Sequence, residues 1–192
     1  MIHDNQPAKS SSSAQTARGT SWRFVIWYPI IAIVAYFFAT HMLRPAARGG
    51  LRPGETPPPL AAAGWLNGAA PSDADLAGKV VVVDAWFAAC PPCRHKAHEL
   101  VTLYERFRDR VTFIGLTPDG PDDLPSVRRF LKDTGITWPN GYGAAETLDK
   151  LMTDGGIFPS AWVIGADGKV AWNEDSPAEL AEAIEGALSS AR

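Results

Sequence analysis

Lys79-Val80-Val81-Val82-Val83-Asp84-Ala85-Trp86-Phe87-Ala88-Ala89-Cys90-Pro91-Pro92-Cys93 runs from four consecutive valines into the chain's two cysteines. A continuous apolar run of this kind marks a strand buried on both faces. Two thiols separated by two residues, where such a strand hands over to a helix, can close a disulfide and reopen it. A purely structural disulfide seldom encloses so short a loop, because stabilisation by loop closure grows with the number of residues enclosed. The pair therefore reads first as a redox centre, and only then as half of a metal site or as inert thiols.

Downstream, Ala97, Leu100, Val101, Tyr104 and Phe107 recur at helical spacing with Arg94, Glu105, Arg106 and Arg108 opposite, which predicts an amphipathic helix lying on a sheet. Val111 to Leu116 reads as a second strand, Val127 to Asp133 as a short helix stopped by Gly135, and Ala144 to Met152 as another helix. Ala161 to Ile164 and Lys169 to Trp172, joined by Gly165-Ala166-Asp167-Gly168, predict a hairpin. Ser176-Pro177-Ala178-Glu179 predicts a capping box, with proline at the first position of a last helix that buries Leu180, Ile184 and Leu188. Upstream, Gly64 to Asn67 is a weak segment suited to a sheet edge, and Asp73 to Leu76 leads into the valines. Strands alternating with helices predict an α/β domain over residues 60–192.

The region before it divides into three. Residues 1–21 are polar and Ser-rich and read as a disordered tail. Residues 22–43 read as a transmembrane anchor: from Phe24 to Leu43 the chain is almost wholly apolar between Arg23 and Arg44, and 20 residues of helix span about 30 Å, the thickness of a bilayer's hydrocarbon core. A cleaved secretion signal fits less well, since its apolar stretch is usually about 7 to 15 residues and a small-x-small cleavage site should follow. A core helix so uniform is out of place in a small protein, and His41 reads as an interfacial residue. Residues 44–59, with Arg-Pro, Gly-Gly, Pro-Gly and Pro57 to Pro59, read as a spacer that lifts the domain off the membrane.

The hydrophobic content is 46% and the charged content 20%, ordinary for a globular chain that also carries an anchor. Residues 1–53 hold six of the 18 basic and one of the 21 acidic residues, so the remainder has 12 against 20. That acidic balance excludes nucleic acid as a partner. Lys9, Arg18 and Arg23 before the apolar stretch are matched by Arg44, Arg48 and Arg52 after it, so charge does not choose the topology. A short tail inserts readily with its N-terminus inside, and a tethered dithiol is useful where disulfides form. The domain is therefore expected outside the cytoplasm.

Asp84-Ala85-Trp86-Phe87-Ala88-Ala89-Cys90-Pro91-Pro92-Cys93, followed after a helix-bearing insertion by Gly156-Ile157-Phe158-Pro159-Ser160 and a hairpin, resembles a thioredoxin-like domain. More narrowly it is similar to the membrane-anchored TlpA/ResA-like thiol:disulfide oxidoreductases of bacteria, over roughly residues 60 to 190. The resemblance implies a central mixed sheet flanked by helices, no cofactor beyond the two thiols, and a place at the inner membrane with the domain on the periplasmic side. It implies that Pro159 is a cis-proline facing the disulfide, and that Asp84 is a buried acid taking the proton of Cys93. The implied partners are disulfide-bonded proteins and a membrane-embedded thiol donor of electrons.

Position assigns the two sulfurs different roles. Cys90, at a helix N-terminus, is favoured as thiolate and is expected to be the attacking and more exposed sulfur; Cys93, one turn inside, resolves the mixed disulfide. Pro91 and Pro92 lack an N–H, which predicts only a moderate lowering of the Cys90 pKa and hence a reductant or weak oxidant. Trp86, Cys90, Pro91, Phe158 and Pro159 are expected to form a shallow, sequence-tolerant substrate surface. The family pattern is broken at Ala89, where a Trp is common, at Lys96, where the subgroup often has glutamate, at His98, where a helix-kinking proline is common, and at Phe158, bulkier than the usual Thr or Val. These changes make the helix locally more basic and weaken any carry-over of apocytochrome c reduction. Two rival readings are a copper or zinc protein using Cys90, Cys93, His95 and His98, and a non-catalytic binding module. Helical phase opposes the first, placing His95 about 200° from Cys93.

Overall fold

The computed structural model describes residues 23–42, 49–153 and 156–191. The chain divides into two compact units, one ending at Pro45 and the other beginning at Ala46. In the first, Arg23–Met42 forms a helix, α1. Its described side chains, at 28–38, are exposed, including Tyr28, Ile31, Val34 and Phe38. Counted over the described residues, no helix is long and apolar enough to cross a membrane. The expected tail at 1–21 and the first residues of the expected spacer, 44–48, lie outside the described residues.

The second unit is organised around β2 (Val80–Ala85), every residue of which is buried. Successive side chains of a strand point to opposite faces, so Val80 and Val82 enter one core and Val81, Val83 and Ala85 the other. β2 pairs in parallel with β3 (Val111–Leu116) and antiparallel with β5 (Ser160–Ile164). β4 (Asn140–Tyr142) and β1 (Gly64–Leu66) extend the sheet beyond β3, and β6 (Val170–Asn173) completes the hairpin with β5. Among the described residues the sheet has the order β1-β4-β3-β2-β5-β6. It is the mixed α/β sheet expected of a thioredoxin-like domain.

One face carries α3 (Pro91–Phe107), α4 (Leu124–Thr134) and α6 (Leu180–Ser190), contributing Leu100, Phe107, Phe130 and Ile184 to the larger core. The other carries α5 (Ala145–Leu151), with Leu148 and Leu151 against Trp162. α4 ends as expected on Gly135, whose φ of 77° is the left-handed conformation that glycine adopts without steric cost. The short helix α2 (Asp73–Leu76), closed by a capping box between Ser72 and Asp75, and the strand β4 are additions to the sequence-based expectation. β4 spells Asn-Gly-Tyr and has no apolar alternation to betray it.

Two expectations are corrected. The last helix starts at Leu180, not at Pro177, because Ser176 and Ala178 are engaged elsewhere. Ser176 Oγ accepts the Asn173 N–H and donates to Asn173 Oδ1, and the Ala178 carbonyl accepts the Trp172 indole N–H at 2.7 Å. Nor are residues 49–59 a free spacer. Leu51 N–H donates to the Leu151 carbonyl, Gly54 and Glu55 exchange hydrogen bonds with Val170, and the Gly49 carbonyl accepts Trp162 Nε1–H. Leu51 and Leu60 pack against the second core. The stretch lacks the periodicity of helix or strand, so its docking depends on partners that local sequence does not show.

Gly50 tests this docking. It has a φ of +63°, and a Cβ there would stand 2.1 Å from the Leu151 carbonyl oxygen. Gly50→Ala is expected to lower the stability of the full chain by about 1–3 kcal/mol in urea denaturation followed by tryptophan fluorescence. An unchanged midpoint would mean that 49–55 is not held against the domain.

Candidate active site

Cys90 is the N-cap of α3, with Pro91 and Pro92 in the first two helical positions. Proline's fixed φ suits these positions and its missing N–H costs nothing there. The Cys93 N–H is left as a donor inside the turn, and it reaches Cys90 Sγ at 3.1 Å. The two cysteines are joined as a disulfide, with Cα atoms 5.3 Å apart. Both are 2% exposed, so the expectation that Cys90 is the more exposed sulfur does not hold in this oxidised state. Upstream the loop is clamped: Asp119 Oδ2 accepts the Ala88 N–H and the Thr117 hydroxyl, each at 2.7 Å.

Trp86 is also corrected. It is 2% exposed and faces inward, stacked on Phe130 with ring centroids 4.2 Å apart, and its Nε1–H donates to Asn140 Oδ1 at 3.0 Å. Trp86 therefore braces the loop from beneath and lines no open groove. Asn140 completes the brace by donating Nδ2–H to the Trp138 carbonyl at 2.7 Å. Gly115 makes room for it, since a Cβ there would lie 1.8 Å from Asn140 Oδ1.

Pro159 precedes β5, whose first residue, Ser160, pairs with Ala85 at the end of β2. That register carries Pro159 to the loop bearing the cysteines. The Phe158–Pro159 peptide bond is cis. Phe158 and Phe87 meet edge to face at 5.3 Å, and Ile157 beside them is 48% exposed. Pro91 is exposed and Phe158 and Pro159 half-buried, so the apolar surface next to the disulfide consists of Phe87, Pro91, Ile157, Phe158 and Pro159.

Beneath the disulfide, Asp84, Cys93, Lys96 and Pro159 line one cavity of about 10 Å³, close to the smallest that admits a water molecule. Asp84 shares the face of β2 that carries Val82 and Trp86, and it is 5% exposed. Burial pushes its carboxyl up to about 7, with Lys96 pulling it down and Glu174 pushing it further up. An ionised carboxylate is costly in such surroundings.

Lys96, read from the sequence only as making the helix locally more basic, is largely buried. Its Nζ lies 3.2 Å from Glu99 Oε2 and 3.3 Å from Glu174 Oε1, and its side chain is 18% exposed. Burial works against the ammonium but the two carboxylates prevail, so its pKa is raised. Glu174 is also raised, because burial outweighs its share of that single ammonium. His95 and His98 are exposed on α3. Among the described residues no group of three or more His, Cys, Asp or Glu is placed to hold a metal ion.

The structure thus brings Cys90, Cys93, Asp84, Pro159, Pro91 and Phe158 to one end of the sheet and sends Trp86 into the core. Asp119, Asn140 and Glu174 escape sequence reasoning because each lies in a polar turn or short strand far along the chain. Glu174 alone left a signal, in a lysine one helical turn from Cys93 whose inward phase demands an acidic partner.

A model of the AhpC/TSA family matches residues 59–173, more than half of the chain. The chain belongs to the AhpC/TSA family. Over 98 residues it is 30% identical to the thiol-disulfide oxidoreductase ResA of Bacillus thuringiensis (strain Al Hakam), an alignment covering 50% of this chain and 54% of that protein. The chain therefore spans about half the length of the curated relatives it matches. Among solved structures it is similar to a thiol:disulfide interchange protein of the thioredoxin family from Chlorobium tepidum TLS, with TM-score 0.58, 29% identity, and coverage of 72% of this chain and 98% of that one. The fold is shared with a secreted disulfide oxidoreductase of Mycobacterium tuberculosis, at TM-score 0.53 and 22% identity, over 68% of this chain and 96% of that one.

The displaced titration of Asp84 couples to stability. Its folded value of about 7 lies above the unfolded value of 3.8. The stability it contributes is therefore complete below pH 3.8 and is lost as pH rises towards 7. Asp84→Asn is expected to match the wild type near pH 4 and to exceed it near pH 8 by up to about 4 kcal/mol, one unit being 1.36 kcal/mol. Denaturant unfolding of the oxidised protein at the two pH values measures this. An advantage that does not grow with pH would show that Asp84 is ionised at no cost.

Proposed function

We propose that this protein is a membrane-tethered thiol:disulfide oxidoreductase that reduces protein disulfides outside the cytoplasm. The observation that carries the reading is the Cys90–Cys93 disulfide at a helix start, with Cys93, Asp84 and Pro159 lining one cavity beneath it. In the reduced state the Cys90 thiolate, favoured by the helix N-terminus, attacks one sulfur of a substrate disulfide, and the other leaves as a thiolate. Cys93 gives its proton to Asp84 and attacks Cys90 Sγ in the mixed disulfide, expelling the second substrate thiolate. The substrate gains two electrons and the enzyme closes to the disulfide. A carboxyl that titrates about 7 is suited to accept and return a proton near neutrality.

Substrate contact falls to the apolar surface of Phe87, Pro91, Ile157, Phe158 and Pro159. That suits an extended, unfolded segment around a cystine. The names of the relatives support the chemistry. The tether is supported by the almost wholly apolar sequence from Phe24 to Leu43 and by the exposure of the described side chains of α1, since such a surface needs a cover. Outside the cytoplasm, reducing equivalents must come across the membrane, so a membrane-embedded thiol carrier is the proposed electron donor.

Reduction of insulin by the full chain tests the chemistry. Cys90→Ser is expected to abolish turnover, and Cys93→Ser to stop at a mixed disulfide through Cys90, visible as a mass increase that dithiothreitol reverses. Asp84→Asn should slow the resolving step about 100-fold; a wild-type rate would remove it from the mechanism. For the tether, the full chain should stay with membranes through alkaline carbonate extraction and be released once residues 23–42 are deleted. Release of the full chain would reject the anchor.

A further inference from the structure

Behind the disulfide lies a charged arrangement that the two-thiol mechanism does not require. Lys96 is one helical turn beyond Cys93, so its side chain leaves α3 on the same face and enters the domain. At 18% exposure it has given up most of its hydration, a cost that demands compensation. Glu174 follows β6. Trp162 pairs with Asn173, so continuing the register one step sets Glu174 level with Ala161, which is the partner of Asp84. The two acids thus lie two strands apart, about 10 Å between backbones, with Lys96 coming down between them from the helix. Glu174 Oε1 is buried and makes no directed hydrogen bond. Its compensation is the ammonium 3.3 Å away.

We propose that Lys96 and Glu174 are positioning residues for the reaction at Cys93: they form an interior ion pair beside Asp84, with Glu99 also holding the Lys96 ammonium, and the charge of each member acts on proton uptake by Asp84. The inference rests on the oxidoreductase reading. The titratable groups facing Asp84 are Cys93 and Lys96 from α3 and Glu174 from the end of β6; the remaining lining, from β2, α4 and the segments at Ile136 and Pro159, carries none. Glu99 acts on Lys96 and Glu174, and Glu179 on Glu174. One interior ammonium between two interior carboxylates leaves the group short of one positive charge, and a proton on Asp84 makes up the difference. Lys96 therefore favours release of that proton and Glu174 favours its retention. The two substitutions should act in opposite directions.

The test follows the Asp84 carboxyl carbon by NMR in the reduced full chain in detergent micelles, with aspartate labelled and Asp84→Asn used for assignment. Lys96→Met is expected to move the Asp84 midpoint to higher pH and Glu174→Gln to lower pH, each by about one unit. Lys96→Arg should leave it in place. The pH limb of mixed-disulfide resolution should move with each midpoint. A purely structural role would lower stability and shift neither. Midpoints that stay put in both Lys96→Met and Glu174→Gln, or that move the same way, overturn the proposal. If Lys96→Met does not fold, Glu174→Gln and Lys96→Arg decide alone: an unmoved midpoint in the first, or a displaced one in the second, is the overturning result. Opposite shifts in the two variants, alongside a wild-type chain that resolves no mixed disulfide, would leave the pair's hold on Asp84 standing and sink the oxidoreductase reading instead.

Discussion

Burial of β2 on both faces is the constraint from which the rest of the second unit follows. A strand with valines directed to both sides needs a core above and a core below, which forces helices onto both faces of the sheet. It also needs strands on both flanks, supplied by β3 and β5. Once β2 is central, its C-terminal end opens at one edge of the domain, and the cysteine loop emerges there with α3 behind it. The register with β5 brings Pro159 to the same end. The position of the chemistry is thus set by the strand that the chain buries most completely.

The same strand carries the group least suited to burial. Asp84 sits among valines at 5% exposure, and its displaced titration is the electrostatic cost of that placement. The cost is regulated locally. Lys96 and Glu174 supply opposite charges beside it, so its proton affinity depends on a side chain from the helix and another from the far end of the hairpin.

Most of the framework was legible in the chain because it is written in local pattern. The valine run, the 3.6-residue period after Cys93, the glycine that ends α4 and the turn between β5 and β6 each carry their own signal, as does the Cys-Pro-Pro-Cys pair, while Pro159 was singled out by resemblance alone; the structure brings both to one end of the sheet. What escaped depends on contacts distant in sequence. β4 is held by its pairing with β1 and β3 and by the Asn140 bond to Trp86, for which Gly115 leaves space. Trp86 was expected at the surface because it neighbours the cysteines, yet its place on the pleat turns it inward. Ser176 and Pro177 mimic a helix start, but the Trp172 indole takes the Ala178 carbonyl and delays the helix. Lys96 read as one more basic residue, although its phase on α3 already pointed it inside.

The stretch that docks residues 49–60 bears on the sheet's exposed border. β6 is an edge strand, and an edge with unpaired N–H and C=O groups is a template for any extended chain that meets it. Gly54 and Glu55 occupy that border at Val170, donating to its carbonyl and accepting from its N–H, while β1 ends the opposite border after three residues. For a protein whose proposed partners are unfolded, cystine-bearing chains, such blunting separates two kinds of encounter. On that proposal, extended segments would be received beside Pro159 and refused at the rim, where strand addition would seed aggregation.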